Sequence, residues 1–258
     1  MSKDLVSIIM LSRNSSRYVE DSVKSILAQT YTNWELIFVD DNSNDDTISK
    51  MMELKAKAPQ KIIISKSVYT KGESMTRNSA LAGARGRWIA FLNADDVWAP
   101  EKLERQIAFM EEHDYAFTYT CYGLMNMHSK NRNVVVSGKE HITHHDMLRC
   151  CWPAYLTVMY DAKKVGTVQA CITRENNDYA LWLKISDKFD CHLLAEDMAT
   201  MRTPLGLFGR LLKTDKVKWR YEVFRVEEDL KPVTSFLYTI RNGWYGIMKW
   251  IKYVKRVK

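Results

Sequence analysis

Residues 88–98 read Trp-Ile-Ala-Phe-Leu-Asn-Ala-Asp-Asp-Val-Trp, and this stretch decides the fold. An apolar run leads directly into Asn93, Asp95 and Asp96, which predicts an interior parallel strand with two carboxylates at its C-terminal end. Adjacent carboxylates repel each other unless a cation or hydrogen-bond donors compensate them. Mg²⁺ and Mn²⁺ take oxygen ligands of this kind, usually together with phosphates of a substrate. The alternative is an acidic turn before a helix, because Pro100 suits a first helical turn.

A second acidic strand end comes earlier in the chain. The apolar strand from Leu36 to Val39 runs into Asp40 and Asp41. Asn44 or Asp45 can cap the helix that follows, which stabilises it by about 1 kcal/mol, but capping leaves the first two aspartates at the sheet edge. In open α/β sheets ligands bind beyond the carboxyl ends of the strands, where a carboxylate accepts hydrogen bonds from a base or ribose. Two acidic strand ends therefore predict one nucleotide cleft.

The composition agrees with one α/β domain of ordinary size and a tail. The chain has 258 residues, of which 46% are hydrophobic and 27% charged. It starts Met-Ser-Lys-Asp without a signal peptide, and no apolar run reaches the ~18 residues of a spanning helix, so a cytoplasmic protein is expected. Five cysteines without a CxxC pair argue against a disulfide framework or a zinc site.

Several segments, in order along the chain, carry a family resemblance. They are Val6 to Met10 with Asn14; 25–31, Ser-Ile-Leu-Ala-Gln-Thr-Tyr, running into 34–43, Trp-Glu-Leu-Ile-Phe-Val-Asp-Asp-Asn-Ser; 72–78, Gly-Glu-Ser-Met-Thr-Arg-Asn; 86–96, which contains the acidic strand end; and 178–185, Asp-Tyr-Ala-Leu-Trp-Leu-Lys-Ile. They resemble the family 2 glycosyltransferases of the GT-A fold over roughly residues 5–200, and ordered motifs are more specific than any single one. The resemblance implies an α/β fold with a Rossmann-like, mostly parallel sheet flanked by helices, and a C-terminal helical tail is predicted separately from the spacing of apolar residues after 237.

The resemblance also implies an activity. It is the inverting transfer of a hexosyl or N-acetylhexosaminyl unit from a nucleotide-diphosphate donor to a glycan or lipid-linked acceptor, as in bacterial lipopolysaccharide or capsule assembly. A divalent cation, Mn²⁺ or Mg²⁺, would stabilise the negative charge that develops on the diphosphate leaving group. An inverting enzyme also needs a carboxylate opposite the leaving group, because the acceptor hydroxyl loses its proton as it attacks.

Four residues at the strand ends take roles by this resemblance. Asp96 is the direct metal ligand, and Asp95 reaches ribose or metal. Asp41 contacts the base, and Ser12 lies in the nucleotide site. A carboxylate at an open strand end contributes little to a core, so replacing Asp96 is expected to leave thermal stability nearly unchanged.

Three further residues complete the candidate site. The family places its general base where Asp178 stands, although Asp178 or Asn177 could instead be a helix N-cap. Arg77 follows a glycine near a helix start and could reach pyrophosphate through its donor fork, and Arg202 resembles an arginine near the leaving group. A solvated or a structural ion pair is the alternative for both arginines.

The chain departs from the family pattern at three places. Leu11-Ser-Arg-Asn14 replaces the common Pro-Thr-Tyr-Asn, which changes what packs on the base. Asn93 stands where an aspartate is usual, so weaker metal affinity is expected, although an amide oxygen still accepts hydrogen bonds. After Arg202, residues 203–208 are Thr-Pro-Leu-Gly-Leu-Phe in place of a basic, serine-containing loop, which predicts a remodelled lid.

The order of elements divides the chain into three parts. Strands are predicted near 5–10, 35–39, 61–65, 88–92 and 115–122, with helices near 16–29, 45–57, 72–83 and 100–113. Residues 1–122 then form the nucleotide-sugar-binding half of the domain. Residues 123–210 form the acceptor-side half, irregular over 123–160 and helical from 178 to about 188, and 211–258 form the tail.

A histidine cluster invites a metal interpretation. His141, His144 and His145 lie close together with Asp146. Thr143 and Asp146, however, have the spacing of a capping box ahead of a helix. The sequence therefore favours a capped helix over a zinc site here.

The tail has the pattern of a basic amphipathic helix. Apolar residues recur at helical spacing from Leu237 to Val254, while Arg241, Lys249, Lys252 and others fall mainly on the other side. With its aromatic residues and the net charge of +7, the segment 237–258 resembles a peripheral anchor for the inner face of an anionic cell membrane. Packing on its own domain or on a second subunit is the alternative.

Two other classes of protein remain open at this point. The chain could be a membrane-associated partner that binds nucleotide sugar without turnover, because Asn93 and the segment after Arg202 depart from the family. The four carboxylates of the candidate site argue against it. Binding to nucleic acid is disfavoured, because the basic residues are concentrated in the tail and do not alternate with aromatic residues along a groove.

Overall fold

The computed structural model describes residues 4–67, 73–169, 177–203 and 215–256. The first half alternates strands and helices: β1 (Val6–Ser12), α1 (Val19–Leu27), β2 (Trp34–Asp40), α2 (Thr47–Lys57), β3 (Ile62–Lys66), α3 (Glu73–Ala82) and β4 (Trp88–Phe91). The four strands lie side by side in the order β3, β2, β1, β4 and pair in parallel. The predicted Rossmann-like half is confirmed.

The second half returns to the same sheet. Its elements are β5 (Val97–Trp98), α4 (Lys102–Glu112), β6 (Phe117–Met125), β7 (Asn131–Val136), β8 (His141–Ile142), α5 (His144–Arg149), a 3-10 turn (Tyr155–Thr157), β9 (Met159–Asp161), α6 (Ala162–Val165), α7 (Asn177–Ser186) and β10 (Cys191–Arg202). The prediction that 123–160 is irregular is therefore wrong. These strands are short or largely polar, and pairing with β4, β6 and β10 orders them in the absence of an apolar run of their own.

The tail is joined to the domain. It contains α8 (Asp215–Val226), α9 (Pro232–Tyr253) and β11 (Val254–Arg256), so the helix begins five residues before Leu237. α9 packs on α8 and α5, and β11 pairs with β7 in antiparallel fashion. Among the described residues, no helix combines the length and the apolar character that crossing a membrane requires. Packing on the domain, one of the two arrangements open from sequence, is thus observed.

The sheet topology brings the last strand to the acidic turn after β4. The main path runs β11, β7, β6, β9, β4, β1, β2, β3, and β10 joins it by pairing in parallel with β6. β10 also pairs with the two-residue strand β5, where Thr200 lies opposite Val97. Because β5 starts directly after Asp96, the end of β10 carries Arg202 to the same edge.

The central strands are buried on both faces. In β1, Ile8 and Met10 belong to one apolar cluster and Ile9 to another, and all three are fully buried. In β4, Phe91 packs with Trp182 of α7 on the second face, at 5.2 Å between ring centroids. Burial on two faces explains the unbroken apolar runs that precede both acidic strand ends.

The cysteines and the capping box can also be placed. Cys121, Cys150, Cys151 and Cys191 are free thiols, and Cys171 lies outside the described residues. Thr143 and Asp146 form a capping box at the start of α5, as the sequence predicts.

Candidate active site

Three parallel strands end at one edge of the sheet, and β1 lies between the other two. Ser12 at the end of β1 is the register partner of Asp40 at the end of β2. On its other side β1 pairs with β4, after which the chain runs to Asp95 and Asp96. The Ser12 hydroxyl is buried and makes no hydrogen bond within the described part of the chain. The two acidic strand ends therefore flank a buried hydroxyl that a ligand can satisfy.

The two aspartates that follow Val39 have different environments. Asp40 is 1% exposed, and its carboxylate accepts hydrogen bonds from the backbone N–H and the hydroxyl of Ser43. Asp41 is partly exposed, and its Oδ2 lies 4.0 Å from the guanidinium of Arg13. Asp40 thus stabilises the turn. Asp41 remains accessible at the edge where the base contact is predicted.

The next aspartate fixes the loop to the start of α2. The Asp45 carboxylate accepts hydrogen bonds from the backbone N–H and hydroxyl of Thr47 and from the backbone N–H of Ser16. Desolvation acts to raise the pKa of Asp45, but these hydrogen bonds outweigh it and lower the pKa to about 2. Of the two capping candidates, Asp45 makes the bond, although the N-cap residue itself is Asp46.

The two aspartates after β4 also differ in burial, as Asp40 and Asp41 do. Asp96 is 1% exposed; its Oδ1 accepts a hydrogen bond from the backbone N–H of Arg202 at 2.8 Å, and its Oδ2 accepts one from the Asn93 amide at 2.9 Å. Asp95 is only partly buried. Because Asp96 serves as a buried acceptor for two donors, the expectation that its removal leaves stability unchanged does not fit the structure.

Asn93 has a definite structural role. Its side-chain amide donates to Asp96, which an aspartate in that position could not do while ionised. The departure from the family pattern therefore replaces a like charge beside Asp96 with a hydrogen-bond donor.

Arg202 contacts four residues at this edge. Its side chain is fully buried. The guanidinium contacts the backbone carbonyl of Asp95 at 2.8 Å, the hydroxyl of Ser129 at 2.7 Å, the carboxylate of Asp21 at 3.3 Å and the ring of Tyr18 at 4.3 Å. This arrangement supports a positioning role for Arg202, and contact with a leaving group stays a prediction. The segment predicted as a remodelled lid lies, from residue 204 onward, outside the described residues.

Arg77 is held near the site by an aromatic residue. It lies on α3 and is 3% exposed, with its guanidinium 4.7 Å from the centre of the Tyr155 ring. Tyr155 in turn packs against Phe91 at the end of β4, at 5.0 Å between ring centroids. Arg77 therefore belongs to the layer beneath the acidic turn.

Asp178 lies in the first turn of α7, the helix that packs on β4 through Trp182. The helix already includes Asn177, so Asp178 is the second helical residue, and its partly exposed carboxylate accepts a hydrogen bond from the backbone N–H of Tyr179 at 2.8 Å. Burial raises the pKa of the nearby Cys151 thiol, and the charge of Asp178 raises it further. An N-cap role for Asp178 does not agree with this position.

Several residues of the site have no signal in the sequence. Tyr155, Tyr18 and Ser129 belong to none of the motifs, and they reach Arg77 or Arg202 only through the fold. Side chains brought together from distant segments cannot be found from spacing alone.

The histidine cluster is fully engaged in other contacts. His141 bonds to Asp190, His144 contacts Glu228 and Ser186, and His145 bonds to Arg241. Within the ranges that the structure describes, no group of three His, Cys, Asp or Glu side chains is placed to hold a metal.

Comparison with known proteins agrees with the family resemblance found in the sequence. The sequence model of Glycosyl transferase family 2 matches residues 7–149, which include Ser12, Asp41, Arg77, Asp95 and Asp96. The chain is 36% identical over 201 residues to the putative teichuronic acid biosynthesis glycosyltransferase TuaG of Bacillus subtilis, covering 78% of this chain and 79% of the relative. It is 39% identical over 181 residues to an Escherichia coli protein, WfgD, covering 70% and 69%. That protein is named as a UDP-Glc:alpha-D-GlcNAc-diphosphoundecaprenol beta-1,3-glucosyltransferase.

A solved structure shares the fold. The crystal structure of S. aureus TarS 1-349 in complex with UDP-GlcNAc superimposes with a TM-score of 0.69, over 94% of this chain and 74% of that chain. The sequence identity is 17%, so this likeness concerns the fold alone.

Proposed function

Because the chain belongs to glycosyl transferase family 2, we propose that it moves a sugar from a nucleotide-diphosphate donor to a lipid-linked acceptor during assembly of a cell-surface polysaccharide. The chain is a glycosyltransferase with the GT-A type of α/β fold. The observation that supports the proposal is that β1, which ends at the buried Ser12 hydroxyl, lies between two parallel strands, and the chain after these strands runs into Asp41 and Asp95.

The nucleotide binds at this edge. Asp41 accepts hydrogen bonds from the base, and the Ser12 hydroxyl bonds to the nucleoside. Arg77 approaches the pyrophosphate, where its planar fork can donate two parallel hydrogen bonds to phosphate oxygens. WfgD is named for UDP-glucose, and TarS was crystallised with UDP-GlcNAc, so UDP-sugars are the first donors to test.

We assign the oxygen-rich turn after β4 as the site for a divalent cation. Asp95 and Asp96 supply the carboxylate oxygens that Mn²⁺ and Mg²⁺ prefer. When bound, the cation would neutralise charge on the diphosphate leaving group. Because Asn93 stands in place of an aspartate, this site carries one negative charge fewer than a site with three acidic residues.

Asp178 acts as the general base of an inverting transfer. The acceptor hydroxyl gives its proton to this carboxylate as it attacks the anomeric carbon from the side opposite the diphosphate. The diphosphate leaves with the electron pair of the broken C–O bond. The position of Asp178 in the first turn of α7, beside the Phe91 and Trp182 contact that links α7 to β4, supports this role.

The acceptor is presented at a membrane surface. A diphosphate lipid of the kind in the name of WfgD is held in a bilayer by its hydrocarbon chain, so an enzyme that uses such an acceptor works at the bilayer. We place the protein as a peripheral enzyme on the inner face of the cell membrane.

The test uses the purified full-length chain with a panel of sugar nucleotides and a GlcNAc-diphospho-lipid acceptor, with and without Mn²⁺. The expected result is metal-dependent transfer from a UDP-sugar, and nuclear magnetic resonance of the product should show inversion at the anomeric carbon. Binding of sugar nucleotide without any transfer or hydrolysis would instead favour the non-catalytic partner. Retention of configuration would contradict the role of Asp178.

A further inference from the structure

α9 has its apolar and polar sides reversed relative to an ordinary surface helix. The side that faces the domain carries Ser235, Thr239 and Asn242, which are at most 3% exposed. Large apolar side chains that are 41–71% exposed face away from the domain: Phe236, Leu237, Ile240, Trp244, Ile247 and Ile251. We call these six residues the α9 apolar stripe. A surface helix normally buries its apolar side, so a stripe of this size marks a surface that another apolar phase covers.

The polar side is held by specific hydrogen bonds. The Asn242 amide donates to the hydroxyl of Tyr179 at 2.8 Å, and Lys249 donates to the backbone carbonyl of Cys151 at 3.2 Å. The helix is also fixed at its end, because β11 pairs with β7. These contacts fix the rotation of α9 about its axis, so the stripe cannot turn inward without breaking them.

The charge of the segment indicates what covers the stripe. Residues 231–258 contain no acidic residue and seven basic ones: Lys231, Arg241, Lys249, Lys252, Lys255, Arg256 and Lys258. Lys252, Lys255 and Arg256 are exposed at the end of the stripe. A symmetric contact between two copies through this surface would bring like charges together without acids from the same segment to pair them. An anionic lipid surface supplies both the apolar phase and the opposite charge.

We infer that the α9 apolar stripe and its flanking basic residues form the surface on which this protein docks to an anionic lipid bilayer. The stripe lies at the boundary between head groups and acyl chains, where an amphipathic ring such as that of Trp244 is favoured. The inference deepens the proposed function and rests on it for its purpose, because α9 is bonded to Tyr179, the neighbour of Asp178. Docking through α9 therefore sets the distance between the bilayer and the helix that carries the general base.

The test is co-sedimentation of the full-length chain with vesicles. Vesicles of phosphatidylcholine with phosphatidylglycerol are compared with vesicles of phosphatidylcholine alone. The wild type should bind the anionic vesicles, and raising the salt from about 0.05 M to about 0.5 M should weaken that binding. Binding to the neutral vesicles should be much weaker.

Two variants separate the apolar and the charged contributions. Ile240→Gln/Ile247→Gln/Ile251→Gln should lower partitioning by about a hundredfold or more, since three apolar side chains lose their favourable transfer. Lys252→Gln/Lys255→Gln/Arg256→Gln should lower it by about a hundredfold, at about fivefold for each charge. The matched control is Met52→Gln/Ile63→Gln, which replaces two exposed apolar residues of α2 and β3 and should bind like the wild type. Because the replaced isoleucines are exposed, the stripe variant should melt no lower than the wild type.

The outcomes are distinct. The inference would be overturned if the wild type did not bind anionic vesicles, or if the stripe variant bound them as well as the wild type does. A wild-type dimer that the stripe variant converts to a monomer, with no vesicle binding in either, would assign the stripe to a second copy. Should the stripe variant fail to fold, the basic variant and the salt dependence still decide the matter. Vesicle binding without any sugar transfer would contradict the proposed function and leave this inference intact.

Discussion

At the scale of single residues, the two aspartates after β4 differ in their effect on stability, because Asp96 is buried and Asp95 is partly exposed. Asp96→Ala should lower the free energy of unfolding by about 1–3 kcal/mol, because the Asn93 amide and the Arg202 N–H lose their buried acceptor. Asp95→Ala should change stability little, since its side chain is partly exposed, although both variants should lose transfer. Urea denaturation measures the stability of each variant, and assays of sugar transfer measure its activity. Equal stability of the two variants would contradict the environments assigned to Asp95 and Asp96.

The general base can be separated from a purely structural residue by one amide substitution. Asp178→Asn keeps the size and the hydrogen-bond acceptor of the side chain but cannot take the acceptor's proton. Folding and donor binding should therefore survive while turnover falls by roughly 10²–10⁴-fold. Steady-state kinetics and calorimetric titration with a UDP-sugar measure the two effects. Normal turnover in this variant would move the base elsewhere.

At the scale of elements, the tail is a structural part of the domain. Deleting residues 232–258 removes β11 from the edge of the sheet, and it leaves the hydroxyl of Tyr179 without the Asn242 amide. The truncated protein should melt several degrees lower or aggregate. Asn242→Ala alone should cost about 1–2 kcal/mol, because it removes a hydrogen bond between buried side chains. Thr234→Ala, on the same helix and only partly buried, is the control, and unchanged melting of the truncated chain would contradict this account.

At the scale of the whole molecule, the ionisation of Asp45 and of Lys102 makes the free energy of unfolding rise with pH, each over its own pH range. Hydrogen bonds lower the pKa of Asp45 to about 2 against desolvation, so its contribution is present above its ordinary pKa of 3.8 and is lost as pH falls toward 2. Burial lowers the pKa of Lys102 from 10.5 to about 7. Between those two values the unfolded chain holds a proton that the folded chain has released, so stability rises with pH there as well.

The measurement is the free energy of unfolding at a series of pH values from 2 to 10, followed by tryptophan fluorescence. The Lys102 ammonium group lies 4.3 Å from the Trp98 ring and bonds to Gln106, so Lys102→Met fits the same apolar environment. This variant should flatten the rise above pH 7, and Asp45→Asn should weaken the rise below pH 4. A Lys102→Met profile that matches the wild type above pH 7 would contradict the burial of a titrating amine.

The sequence by itself determined the family, the α/β class, the alternation of strands and helices in the first half, and the two acidic strand ends. Those features depend on local patterns: apolar runs long enough for strands that are buried on both faces, and turn residues that follow them directly. The capping box of α5 was predictable for the same reason, since Thr143 and Asp146 meet within one turn of helix.

Only the tertiary structure decided which carboxylates are buried, what Arg202 contacts, and which side of α9 faces the domain. The short strands between 123 and 160 also form only because longer neighbours supply their hydrogen bonds. The apolar period of α9 predicts an amphipathic helix but contains no information on its rotation, because the bonds from Asn242 and Lys249 that set it join segments about 63 and 98 residues apart in the chain. Such contacts depend on where the sheet brings distant residues together, and a local pattern cannot specify that.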